Sequence, residues 1–204
     1  MKQLLLALFL ILAVTVEPAS GQTIHRLDMV KSQPLIERNE DGYAGCGLRV
    51  IAGDTDAHLI HEFTLRLAWK FPSGLLTAST SRVSQKKLKP GAPASVLITP
   101  APARFWIVKE TEAKALRPER IGREDIPGTL FAALPLMPTL ETIVDIMQGE
   151  RMQFSIGQRN QNKDLDRALS FRAPLSKEET TSLAACLLAM TKSMEEEANQ
   201  TKAR

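Results

Sequence analysis

From His61 to Phe71 every second residue carries a large apolar or ring side chain: His61, Phe63, Leu65, Leu67, Trp69 and Phe71. Glu62, Thr64, Arg66, Ala68 and Lys70 lie between them. Side chains of a strand alternate between its two faces, so a period of two predicts one face on a core and the other in water. That is the habit of an antiparallel sheet. Pro72-Ser73-Gly74 supplies turn chemistry, and the Ser- and Thr-rich run 75–83 reads as the returning strand of a hairpin. Residues 48–52 read as a short apolar strand before it, joined through the polar segment 53–57.

Eight of the 12 prolines lie between Pro90 and Pro138. Each lacks a backbone donor, which excludes long helices there and leaves short elements between loops. Residues 95–99 and 104–109 read as strands, and 111–117 as one or two helical turns. Beyond this region Leu140, Ile143, Val144 and Met147 recur at helical spacing, with Thr139 as the expected N-cap and Gly149 at the C-terminal end. Met152, Phe154 and Ile156 alternate along a strand, 158–164 is a polar turn, and Leu165, Arg167, Leu169 and Phe171 alternate on the return. Ser176-Lys177-Glu178-Glu179 spells a capping box opening a second helix.

These elements predict an α+β fold: an antiparallel sheet built from hairpins, with an amphipathic helix near 139–148 and a C-terminal helix near 176–195 packed on it. No internal repeat and no long linker interrupts the chain. A single domain over 22–193 is therefore expected, with 194–204 as a polar, disordered tail.

The first 21 residues read as a cleaved secretory signal peptide. Lys2 precedes a roughly 13-residue apolar run, Leu4 to Val16, too short to span a bilayer, and Ala19 and Gly21 suit the small-residue pockets of a signal peptidase. No cysteine follows the run to carry a lipid, and no transmembrane segment is expected in the mature chain. The short basic segment favours the periplasm of a Gram-negative bacterium; secretion from another cell type, suggested by the triplet Asn199-Gln200-Thr201, is the alternative.

In an oxidising compartment the only two cysteines, Cys46 and Cys186, are the expected disulfide. Cys186 shares a helix face with Leu183, Leu187 and Met190, which points it into a core. The alternative makes Cys46 a nucleophile, since Gly45 and Gly47 leave its sulfur open. Neither cysteine belongs to a C-x-x-C pair, so a thioredoxin-like role lacks its second thiol.

Potential metal ligands are densest at Asp54, Asp56 and His58, followed by His61 and Glu62. In an extended segment the first three would share a face and offer oxygen and nitrogen to a cation, with His61 on the opposite face. The competing reading is a polar turn running into a strand. The run lacks the glycine and distal glutamate of an EF-hand loop and the H-E-x-x-H helix of a zinc protease. Lys86, Lys87 and Lys89 form a basic surface loop, either solvated or attracted to anionic lipid or polysaccharide.

Other chemistry is poorly supported. There is no G-x-S-x-G elbow, and Ser84-Gln85-Lys86-Lys87 spells S-x-x-K without its S-D-N and K-T-G partners. No glycine-rich phosphate loop occurs, so no cofactor is expected. A net charge of +3, with 26 Lys plus Arg against 23 Asp plus Glu, and 5% aromatic residues do not suit a dedicated nucleic-acid binder. The expectation is an exported, non-catalytic binding or accessory module for a protein or other envelope partner. The alternative is a small metal-dependent hydrolase using Asp54, Asp56 and His58.

Overall fold

The computed structural model describes residues 24–27, 29–40, 42–69, 71, 73–83, 95–99, 101–122, 126–157 and 168–202. The expected signal peptide, the basic loop with Lys86, Lys87 and Lys89, and the turn at 158–164 lie outside them. Along the described residues run β1 (Ile24–Arg26), β2 (Met29–Asn39), β3 (Gly42–Asp54), β4 (Leu59–Ala68), β5 (Gly74–Val83), β6 (Ser95–Leu97), β7 (Arg104–Lys109), β8 (Arg120–Ile121) and β9 (Thr129–Leu134). Helix α1 (Leu136–Met147), β10 (Met152–Gly157), β11 (Ala168–Phe171) and α2 (Lys177–Lys202) follow. The class is α+β, with more of the described residues in strands than in helices.

The larger sheet has the order β2-β3-β4-β5-β9-β8, with β6 also on β5, and is antiparallel throughout. Its inner face is written in the alternation of β4, where Leu59, His61, Phe63, Leu65 and Leu67 are buried and the residues between them half-buried. Register extends that face sideways: Val50, Phe63 and Ala78 stand in one row, and Leu48, Leu65 and Leu76 in the next. Trp69 and Phe71, which continue the alternation in the sequence, lie past the end of β4, and Phe71 is exposed.

The smaller sheet, β1-β11-β10-β7, packs across this face. Phe63 is the meeting point, with ring centroids 5.4 Å from Phe105 of β7, 5.1 Å from Phe154 of β10 and 6.2 Å from Phe171 of β11. Helix α2 covers β2 and β3, and α1 covers β4 and β5. The smaller sheet and both helices thus converge on one apolar face, where fully burying each large side chain is worth about 1.5–3 kcal/mol.

Several expectations are corrected. Thr139 does not cap α1. The helix begins a turn earlier, where Pro138 loses no bond because first-turn N–H groups have no intrahelical acceptor. Thr139 and Thr142 then face the core, their hydroxyls donating to Pro135 O (2.6 Å) and Pro138 O (2.8 Å), which satisfies both buried groups within the helix. Gly149 does follow the helix end, at φ +75°, and its N–H donates to Ile146 O.

Residues 111–117 hold no helical turn; Leu116 instead exchanges two backbone bonds with Ile107 of β7, at 3.1 and 2.7 Å. Strand β3 is far longer than 48–52 and includes Gly47, where an added Cβ would lie 2.1 Å from Leu65 O. Pro34 sits within β2, an edge strand that tolerates a missing donor. The pairing of β1 with β11 is parallel, and α2 continues past Met194 to Lys202.

The capping box forms as spelled: Ser176 N–H donates to Glu179 Oε2 (2.9 Å) and Glu179 N–H to Ser176 Oγ (3.3 Å). Leu183, Cys186, Leu187 and Met190 of α2 are buried. Among the described residues no helix is long and apolar enough to cross a membrane.

Candidate functional site

Cys46 and Cys186 are joined by a disulfide, both fully buried, with Cα atoms 5.8 Å apart. The bridged sulfur of Cys46 has no thiolate with which to attack, so the nucleophile alternative has no reacting group in this state. The flanking glycines serve packing: β4 passes so close to Gly47 that only a hydrogen fits.

Asp54 ends β3, and residues 55–58 after it are not extended. They form the β3–β4 turn, closed by His58 N–H donating to Thr55 O (3.3 Å), with His58 itself at φ +52°. Asp54 is buried, and its Oδ1 accepts the Ala57 N–H at 3.2 Å, so its carboxylate braces the turn. Asp56 and His58 are exposed. His61 is buried on β4, with Nδ1 3.1 Å from Thr80 Oγ1 and its ring edge-on to Phe154 at 6.0 Å. The turn therefore divides the four candidates between interior and surface, and no described group of three His, Cys, Asp or Glu residues is placed to hold a metal ion.

A groove of about 530 Å³ lies elsewhere, between α1, β7 and the segment that follows β7. Its floor is apolar, built from Ile107, Leu116 and Met152, and its helix wall presents Leu140 and Val144. Ion pairs stand at its rim: Lys109 Nζ lies 3.1 Å from Asp145 Oδ1 and 3.7 Å from Glu150 Oε1. The hydrogen bond to Asp145 holds the Lys109 ammonium above the usual lysine range against the cost of burial, with the nearby charges of Asp145, Glu150 and Glu112 adding to it.

The sequence reading placed Leu140 and Val144 on the buried side of α1. The helix instead turns Thr139, Ile143 and Ile146 fully inward and leaves Leu140 and Val144 half-buried along the groove. The signal was present in the breadth of the apolar positions from Leu136 to Met147, wider than one packed face requires. Lys109 and Asp145, 36 residues apart, meet only through the fold. An arrangement of this kind can seat apolar side chains over the floor and fix their orientation by charge at the rim.

Comparison with known proteins finds no matching family model, no matching curated protein and no matching solved structure.

Proposed function

We propose that this chain is an exported, non-catalytic binding module whose groove between α1 and β7 seats a segment of a partner protein in the cell envelope. The observation that carries this reading is the half-burial of Leu140 and Val144. Two apolar side chains, one helical turn apart, are held over the apolar floor of Ile107 and Leu116 beside a fixed Lys109–Asp145 pair. Partner side chains placed there gain apolar burial, while the charged rim rewards one orientation. The disulfide and the apolar N-terminal run support export.

The test places a photo-crosslinking residue at position 144 in the full chain expressed in its own envelope, and at position 64, on the outer face of β4, as a control. A discrete crosslinked product from 144 and none from 64 is expected. Leu140→Asp should remove the product, at some cost in Tm because this side chain also packs against the core. No product at 144, or the same product from 64, overturns the groove as the binding surface. Recovery of the chain in the cytosolic fraction overturns export.

A further inference from the structure

The backbone around the α1–β7 groove constrains the shape of what can fill it. One side of β7 is paired along its length to β10. On the side toward the groove, Ile107 exchanges both of its backbone bonds with Leu116, at 3.1 and 2.7 Å, and Lys109 O accepts the Glu112 N–H at 2.9 Å. A partner strand is held to a sheet edge by the open donors and acceptors of that edge, and here it would have to displace Leu116 to reach Ile107. A helix arrives with its backbone bonds already made and can lie over an apolar floor without that exchange.

The wall of the groove carries the matching pattern. Met137, Leu140 and Val144 of α1 recur at i, i+3 and i+7, the spacing at which one helix presents apolar side chains to another. Met137 is 57% exposed, and Leu140 and Val144 are half-buried, so among the described residues nothing covers the stripe completely. The charge beside it has one sign in excess. Glu112, Glu141, Asp145 and Glu150 stand against Lys109 and Lys114, and Lys109 is already held between Asp145 and Glu150. Glu112 and Glu141 are both exposed.

Resting on the groove reading above, we infer that the occupant is an amphipathic helix of the partner protein, its apolar face on Met137, Leu140 and Val144 and its flank carrying Lys or Arg toward Glu112 and Glu141. Apolar burial supplies the affinity, and the opposite charges select the orientation. An anionic membrane surface is disfavoured by the same carboxylates.

The test places the photo-crosslinking residue at 137 and at 144, in separate full-chain variants expressed in their own envelope, and maps the partner residue joined to each by mass spectrometry. These positions are seven residues apart on α1, about 10.5 Å along its axis. A helix lying along α1 should show attachment residues about six to eight apart, with Lys or Arg within a turn of them, whereas an extended segment would show them about three apart. Glu112→Gln/Glu141→Gln should lower the yield at 144 about fivefold with Tm unchanged, since two exposed charge pairs with the partner are lost. Attachment residues about three apart, a product at 144 but none at 137, a partner segment without basic residues, or a yield indifferent to the double substitution overturns the helix and leaves the groove as a binding surface. No product at 144 overturns the groove reading and the helix together.

Discussion

Cys46 and Cys186 are 140 residues apart in sequence and 5.8 Å apart at Cα, joining the second strand of the larger sheet to the helix that covers it. The bridge closes most of the described fold into one loop. In the chain-entropy account, a loop of this length removes enough freedom from the unfolded chain to stabilise the native state by about 5 kcal/mol. The double variant Cys46→Ala/Cys186→Ala should therefore lose about that much in urea unfolding, and reduction of the parent protein under denaturing conditions should reach the same midpoint. A loss near zero would show that α2 holds its place by packing alone.

Phe63 touches aromatic rings from three strands of the smaller sheet, so it is the residue through which the two sheets read each other. Phe63→Ala is expected to cost about 3–5 kcal/mol, and Phe63→Leu markedly less because most of the volume is kept. Chemical denaturation of the two variants measures the ratio. Equal losses would mean that ring geometry, rather than volume, sets the contact.

What could be read in the sequence follows from local periodicity. The alternation of β4 marked Phe63, Leu65 and Leu67 as one face, the bounds of β7 matched the run 104–109, and the helical spacing of Leu183, Cys186, Leu187 and Met190 marked the face of α2 that is buried. What stayed hidden depends on chain segments meeting at a distance. Nothing local announces that β9 pairs with β5 across a proline-rich stretch, or that β1 lies parallel to β11. Thr139 and Thr142 read as polar by residue type, yet their hydroxyls bond back to the helix and let them face inward. The groove was hidden by the same rotation, since it is formed by apolar residues that a wheel of α1 assigns to the core. Asp54, Asp56 and His58 were grouped by assuming extension where the chain in fact turns.

Gly47 and Gly122 make a contrast that burial alone does not supply. An added Cβ at Gly47 would meet Leu65 O at 2.1 Å and Arg66 Cα at 2.6 Å, both backbone atoms of the paired strand that cannot move without parting β3 from β4. At Gly122 the nearest atom is Phe131 O at 3.5 Å, an ordinary contact. Gly47→Ala should cost about 3 kcal/mol or abolish folding, and Gly122→Ala should stay within about 0.5 kcal/mol. Thermal melts of the pair decide it; similar behaviour of the two would mean that the sheet opens at Gly47 more readily than its backbone spacing implies.

The capping box of α2 supplies a pH-dependent contribution with a definite sign. The Ser176 N–H, first, and the Ser176 hydroxyl hold the Glu179 carboxyl below the usual carboxylate range, with Lys31 adding a favourable charge. A carboxyl whose folded pKa is depressed gives stability that is fully present above its unfolded pKa and is lost as pH falls through the folded value. The wild-type chain should therefore exceed Glu179→Gln in urea midpoint at about pH 6, where the carboxylate is charged in both states, and the gap should close as pH falls below the usual carboxylate range and the group is protonated. Ser176→Ala should narrow the same gap at the higher pH by removing the hydroxyl partner, leaving the backbone N–H. A gap between wild type and Glu179→Gln that stays constant across this range would mean that the carboxylate's charge contributes nothing and that shape alone closes the first turn of α2.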